Sequence, residues 1–360
     1  MNKKQKELKL QPEVLRALRE ASGYSVEEIA KKLKTSVDKV ASVEEGQTSF
    51  TLNQIKKLAE IYKRPLAAFF SSFIPELPKS PDYRLNREKK LTPNVYLAQR
   101  RAHYLSKKIK ELSGKRSQIP TFSKQLSADD LAREFRKTLN IEFIKHRKAD
   151  EIMAYYKKVL EDALTILIIE YPLKADDVRA FSISSDISVI VLNEEDKPSI
   201  KLFSLAHEIC HLLNNTTGIC SLEIEHENSI ESFCNRFAAE FLVPLEDLKI
   251  EVQKFEQIDE EAVNQLSETY GVSKQVMMIR LLWLRYIKKE QYEQFKKGIE
   301  ETSIPKPFGR RNWEKVFLNR MGNLSLNEIR KAYSGRKITF YEAESILDLK
   351  TKYAEKFITS

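Results

Sequence analysis

Two histidines four residues apart, His207 and His211, stand in KLFSLAHEICHLL, a segment whose other residues are nearly all apolar. On a helix this spacing puts both imidazoles on one face, where two ring nitrogens can bind one zinc ion at about 2.0–2.1 Å. Glu208 follows the first histidine and can take a proton from a water beside the metal. Zinc lowers the pKa of such a water toward about 7, so the pattern implies attack of water on a carbonyl, that is, peptide hydrolysis. The chain has only five histidines, and a chance His-Glu-x-x-His at that composition arises in about one sequence of this length in a hundred. Burying Glu208 between two imidazoles without a metal or partner would also cost several kcal/mol.

A catalytic zinc needs a third protein ligand and an open fourth position. The segment IESFCNRFAAEFLVP places Ile230, Phe233, Phe237 and Phe241 at helical spacing, with Glu231 and Asn235 on another face. The stretch between His211 and Glu231 is long enough for a loop and an antiparallel return, which makes Glu231 the candidate ligand. Taken together, LFSLAHEICHLL and ESFCNRFAAEFLVP resemble the ImmA/IrrE metallopeptidase family, whose members pair a HExxH helix with an E-x-x-A-N-x-F-A-A-E helix. The resemblance implies zinc held by His207, His211 and Glu231, Glu208 as general base, and Asn235 orienting a ligand. Glu240 matches a further family acid, as an alternative metal ligand or a helix-packing partner. His226, between the two motifs, is either a stabiliser of the reaction's oxyanion or a surface histidine. The stretches AFSISSD and VIVLN resemble the family's edge strand, along which a substrate can add as a further strand. Two positions depart from the family: Cys210 stands where Gly is usual and Cys234 where Ala is usual. With Cys220, all three cysteines of the chain crowd near the motifs. They read as small buried residues, or as thiols whose oxidation gates the site.

Upstream elements read as helices with tight punctuation. PEVLRALREASG puts Val14, Leu15 and Leu18 on one face and stops at Gly23, and Ser25 with Glu28 forms a capping box for SVEEIAKKL. KTS is a turn, SVDKVASVEEG a third helix ending at Gly46, and TLNQIKKLAEIY a fourth capped by Thr51. Residues 10–70 resemble the Xre/lambda-repressor type of helix-turn-helix domain, with Ile29 and Ala30 at the helix crossing and Val40, Val43, Glu44 and Gly46 closing the recognition helix. The resemblance implies DNA binding, with Ser36, Lys39 and Ser42 facing bases and Lys31, Lys32 and Lys34 facing phosphates. Asp38, Glu44 and Glu45 beside Lys39 weaken that expectation electrostatically.

The Pro- and charge-rich PELPKSPDYRLNREKKLTPN is a linker. Residues 94–112 and 127–139 form basic helices, and a helix near 148–163 precedes three strands in ALTILIIEY, RAFSISSD and ISVIVLNEED. Two helices around Gly271 resemble the family's small helical extension, and Thr339 with Glu342 opens a helix in the tail. The expected architecture is α+β and predominantly helical. It comprises a helix-turn-helix domain (1–73), a linker with basic helices (74–145), a zincin-like peptidase core with a small sheet (146–290) and a helical extension (291–360).

Charge is unevenly spread: residues 1–150 carry 33 Lys and Arg against 18 Asp and Glu, residues 151–300 carry 16 against 27, and residues 301–360 carry 12 against 7. Basic ends around an acidic centre suit a chain that meets a polyanion such as DNA at its ends. The absence of an apolar run of membrane length or of a signal-peptide core, and the three cysteines, fit the cytoplasm. The function these features imply is a DNA-associated regulator that cleaves a repressor or antitoxin-like protein, possessing a zinc cofactor and open to homodimerisation. The alternative is a transcriptional regulator or antitoxin whose peptidase-like domain is a sensor or dimerisation scaffold with little turnover.

Overall fold

The structure, a computed structural model, describes residues 10–72, 91–175, 178–215, 219–220, 230–302 and 312–359. Its contacts divide the chain into one compact unit of residues 1–101 with 172–175 and another of 102–171 with 176–360. The fold is α+β and predominantly helical. No described helix is long and apolar enough to cross a membrane. The expected linker lies almost wholly outside the described residues.

The first unit opens with α1 (Pro12–Glu20), where Pro12 pre-sets the first helical turn. A capping box starts α2 (Val26–Leu33): the Ser25 hydroxyl accepts from Glu28 N at 3.2 Å while Ser25 N donates to the Glu28 carboxylate at 2.7 Å. Lys34 ends that helix in the left-handed region, and Ser36 caps α3 (Val37–Glu44). Thr51 and Gln54 form the box of α4 (Leu52–Tyr62), and a 3-10 turn follows at Leu66–Phe70. Val14, Leu18, Ile29, Val40, Ile55 and Phe69 close the core.

Glu44, counted from the sequence among three acids beside Lys39, does not stand there as a free acid. Its carboxylate turns inward and accepts from Arg19 Nε at 2.7 Å and Nη2 at 2.8 Å, and Arg19 Nη1 donates to Tyr24 O at 2.9 Å. Both side chains are buried, so a bidentate pair neutralises one of the three acids in and just after α3. Asp38 and Glu45 remain exposed.

The second unit begins within α5 (Pro93–Ser113) and continues with α6 (Ala128–Thr138) and α7 (Ala149–Leu164). Strands β1 (Leu167–Tyr171), β2 (Ala180–Ile183) and β3 (Val189–Asn193) form where the sequence places them, and a two-residue β4 (Ile219–Cys220) joins them. The order is β1-β3-β2-β4, with β1 parallel to β3 and the other pairs antiparallel. VIVLN is therefore an interior strand rather than an edge. In β2, Ala180 and Phe181 pair with β4. The strands are buried almost throughout, so they read as continuous apolar runs.

Helix α8 (Pro198–Leu213) crosses one face of the sheet and packs against α9 (Ile230–Leu242), with Leu202, Ile209 and Phe237 sharing a core with Ile168, Ala180 and Ile190. Glu170 on β1 fixes its position, accepting from Lys201 Nζ of α8 at 2.6 Å and Lys157 Nζ of α7 at 3.3 Å. Burial pushes the Glu170 carboxyl up, but the two ammonium groups outweigh it and hold it below the usual range. Then come α10 (Leu245–Val252), α11 (Glu260–Tyr270), α12 (Lys274–Trp283) and α13 (Lys289–Thr302).

The extension is not a separate body. Helices α14 (Trp313–Met321) and α15 (Asn323–Ser334) pack on β1, and α16 (Phe340–Leu347) and α17 (Thr351–Ile358) pack with α15. Gly322 makes this approach possible. At φ +73° a Cβ there would stand 3.0 Å from Ile168 O and 2.8 Å from the Glu161 carboxylate. Glu161 also accepts from the Asn323 side chain at 2.8 Å.

Removing one member of the Arg19–Glu44 pair leaves a buried charge. Glu44→Ala is expected to destabilise the first unit by about 3–5 kcal/mol, whereas the joint apolar replacement Arg19→Met with Glu44→Leu is expected to be near neutral. Urea unfolding followed by circular dichroism checks both.

Candidate metal centre

The apolar pattern that makes α8 a helix also buries its polar residues. His207 and Glu208 are 0% exposed and His211 is 1% exposed. One helical turn apart, the imidazoles point the same way, and their Nε2 atoms stand 3.0 Å from each other. Helix α9 brings Glu231 over this pair: one carboxylate oxygen lies 3.1 Å from His207 Nε2 and the other 3.4 Å from His211 Nε2. Asn235, one turn further along α9, accepts from His207 Nδ1 at 2.9 Å. An amide oxygen can only accept, so Nδ1 carries a proton and Nε2 is the ring atom turned toward Glu231. The sequence separates these five residues by up to 28 positions, and the structure brings all five together.

Electrostatics point to a place built for positive charge. Burial disfavours charge on His211, yet the neighbouring Cys234 and the Glu231 carboxylate raise its pKa to about 11. Burial likewise pushes Glu231 up, and the two imidazoles reverse this and bring it to about 2. Glu208 goes the other way, because its complete burial outweighs the nearby imidazoles and raises its carboxyl. Among the described residues, neither of its oxygens has a hydrogen-bond partner of good geometry. Such a group is costly in a protein interior unless something further satisfies it. Two converging ring nitrogens, a bridging carboxylate and an unsatisfied acid together fit a divalent cation such as zinc.

Cys234 is a second donor near the imidazoles, its sulfur within 4.8 Å of a nitrogen on each. Burial, reinforced by Cys210, keeps its thiol well above the usual range. Glu231 touches both Nε2 atoms as well, so either side chain of α9 can complete a three-residue donor set with the imidazoles. Cys210 and Cys234 are both buried free thiols. The side chain of Cys220 lies outside the described residues.

Glu240 belongs to a different cluster. Its carboxylate pairs with Arg280 and with Arg133, and accepts from Leu245 N at 3.2 Å, tying α9 to α6, α10 and α12. Of its two sequence-level roles, helix packing is the one its contacts fill. His226 lies outside the described residues. Ser182 was not singled out by the sequence. It shares the sheet face of Ala180, is fully buried without a hydrogen-bond partner of good geometry, and its hydroxyl acts on the charge of Glu208. A lone hydroxyl inside an apolar strand was the signal available.

Comparison with protein families finds two matches. Residues 161–282 match the IrrE N-terminal-like domain of the M78 peptidases, and residues 13–68 match a helix-turn-helix domain. Each of the two segments is thus similar to a different family. Comparison with curated proteins gives no match. The IrrE-like segment contains the whole cluster described above, from α8 through α9. A cleft of about 1120 Å³ lies partly in it, lined by α11 and α12 together with residues before α7, at the start of α8 and in α13, and bordered near the cluster by Phe203 and Asn235. None of His207, Glu208, His211 and Glu231 lines that cleft.

In the helix-turn-helix domain, Lys31, Lys32 and Lys34 are exposed. Lys32 Nζ stands 5.4 Å over the Tyr24 ring. Ser36 is exposed and serves as the cap of α3, its hydroxyl accepting from Lys39 N at 3.2 Å, while Lys39 and Ser42 are half-buried.

Asn235→Ala is expected to weaken zinc binding by about 10–100-fold through loss of the His207 tautomer lock. Glu240→Ala is expected to leave zinc affinity unchanged and lower stability by about 3–5 kcal/mol. A chromophoric chelator competition and a urea titration measure the two effects.

Proposed function

We propose that this chain is a DNA-associated regulator whose IrrE-like domain is a zinc-dependent endopeptidase acting on a repressor or antitoxin-like protein. The observation that carries the reading is Glu208: a buried carboxylate with no hydrogen-bond partner of good geometry among the described residues, beside two imidazoles that share one carboxylate. In this reading His207 and His211 through Nε2, and Glu231 through its carboxylate, hold the zinc. Zinc bound there supplies a Lewis acid and makes a water more acidic, toward a pKa of about 7. Asn235 keeps the His207 proton on Nδ1 so that Nε2 stays available. Glu208, whose proton affinity burial has raised, takes a proton from the attacking water and returns it to the departing amide nitrogen. His226, if it reaches the reacting carbonyl, would stabilise its oxyanion. The helix-turn-helix domain would bring the chain to DNA through Lys31, Lys32 and Lys34 at phosphates and Ser36, Lys39 and Ser42 at bases.

One observation favours a second reading, a regulator whose IrrE-like domain is a sensor or dimerisation scaffold with little turnover. His207, Glu208 and His211 are closed to solvent, which suits a site that holds a metal more than one that admits a peptide.

Glu208→Gln separates the two. It should keep stoichiometric zinc, and cleavage of a partner repressor should fall by about 10²–10⁴-fold if Glu208 is the general base. Metal analysis with mass spectrometry of helix-turn-helix repressors and antitoxin-like proteins incubated with each form is the measurement. Stoichiometric zinc with no cleavage by the native chain across such partners would move the assignment to the scaffold.

A further inference from the structure

We infer that α16–α17 is a second helix-turn-helix that binds duplex DNA, using Lys350, Lys352 and Tyr353 at the start of α17. The basis is a residue-by-residue correspondence with α2–α3, the pair inside the matched helix-turn-helix domain. Each pair opens with a reciprocal capping box, Ser25 with Glu28 in one and Thr339 with Glu342 in the other, followed by an eight-residue helix. Each first helix ends on a left-handed residue, Lys34 (φ 57°, ψ 48°) or Asp348 (φ 56°, ψ 43°). The turns bond alike. Lys34 N donates to Lys31 O and Thr35 N to Ala30 O, just as Asp348 N donates to Ser345 O and Leu349 N to Glu344 O. One residue later Ser36 or Lys350 occupies the N-cap, and another eight-residue helix begins. The inward positions also agree: Ile29 with Ala343, Leu33 with Leu347, Val40 with Ala354, and Val43 with Phe357 are all buried.

The same turn recurs at α11–α12, where it cannot serve DNA. Gly271 takes the left-handed position, Gly271 N donates to Glu268 O and Val272 N to Ser267 O, and Ser273 caps α12. The residues standing where α3 has Lys39 and Ser42 are Val276 and Ile279, both buried, so that helix is packed into the core. A turn of this shape is therefore not by itself a DNA reader. What its second helix exposes decides the matter.

Helix α17 exposes the right chemistry. Thr351, Lys352, Tyr353, Glu355 and Lys356 are all exposed. The acids of α3 have no acidic counterparts: Lys352 stands for Asp38, Ile358 for Glu44 and Thr359 for Glu45. The candidate base-facing positions Ser36, Lys39 and Ser42 correspond to Lys350, Tyr353 and Lys356. Lys352 Nζ lies 4.7 Å over the Tyr353 ring, which also meets Trp313 in a T-shaped contact at 5.1 Å and keeps part of its surface exposed. Lys356 is engaged with Glu314 at 2.6 Å, so Lys350 and Lys352 are the principal cations. Arg336 and Lys337, exposed just before α16, stand where the first helix of such a motif meets the phosphate backbone. Of the neighbouring acids, Glu342 is occupied in the capping box and Glu344 accepts from the Thr351 hydroxyl at 2.9 Å. Asp348 and Glu355 remain exposed.

The test uses the full chain and a labelled mixed-sequence DNA duplex about three helical turns long, with anisotropy read across a range of salt. The double variant Lys350→Glu/Lys352→Glu should weaken binding by about tenfold or more, and the neutral pair Lys350→Gln/Lys352→Gln should lower the slope of log affinity against log salt by about 2, near 0.9 per lost phosphate contact. Both effects should persist when Lys31, Lys32 and Lys34 are also neutralised. Both pairs alter exposed side chains, so thermal unfolding should be unchanged. Equal affinity and slope for the native chain and both α17 variants would overturn the inference, even if the α2 variants lose binding. So would unchanged DNA binding with a shifted sedimentation coefficient, which would make α17 an interface between copies of the chain.

Discussion

Everything in the second unit depends on one constraint: α8 is buried on all sides and yet carries two imidazoles and a carboxylate. A helix of Leu, Ile and Phe in those positions would simply fill the space between the sheet and α9. With His207, Glu208 and His211 there, each polar atom needs a partner in a place that water does not reach. The rest of the architecture can be read as the provision of those partners. Helix α9 supplies Glu231 and Asn235 from one face while its phenylalanines pack the other. The pairing of Glu170 with Lys201 and Lys157 fixes where α8 lies along the sheet. Of His207, Glu208 and His211, Glu208 alone is left without a hydrogen-bond partner of good geometry among the described residues.

Buried ion pairs recur away from the cluster. Arg19 with Glu44 ties α1 to α3, and Arg280 with Glu240 ties α12 to α9. Pairs of this kind contribute little net stability compared with apolar packing, because desolvation offsets the attraction. They do restrict how two helices can meet, since any other register strands a charge. In a chain whose helices are mostly short, such pairs specify geometry that generic apolar contacts leave ambiguous.

Much of this was legible in the sequence, and the reasons differ by feature. The capping boxes at Ser25, Thr51 and Thr339 are local, so three or four residues determine them. The histidine pair is likewise a one-helix feature. Glu231 and Asn235 are remote in sequence: spacing allowed a returning helix with Glu231 as a candidate, and resemblance to a two-motif pattern gave Asn235 its expected role. The direction of Glu44 was not legible, since its partner Arg19 lies two helices away and an acid on a recognition helix looks exposed by default. Nor was the interior position of VIVLN, because a parallel partner such as β1 leaves no mark in the strand's own pattern. The two faces of Glu240 remained open for the same reason: Arg280 lies 40 residues further on.

Gly322 carries a consequence for how such a chain can be assembled. The IrrE-like match ends at residue 282, but the face of β1 is closed by α14 and α15, which meet it through the backbone gap at Gly322. The segment inherited as a recognisable module is thus shorter than the segment that folds. Recombination that moved the shorter piece to another protein would carry along a bare strand face, with a glycine-shaped recess and nothing to enter it. Modular ancestry and physical autonomy part company here, and the tail behaves as the last piece of the sheet's core although it lies at the far end of the chain.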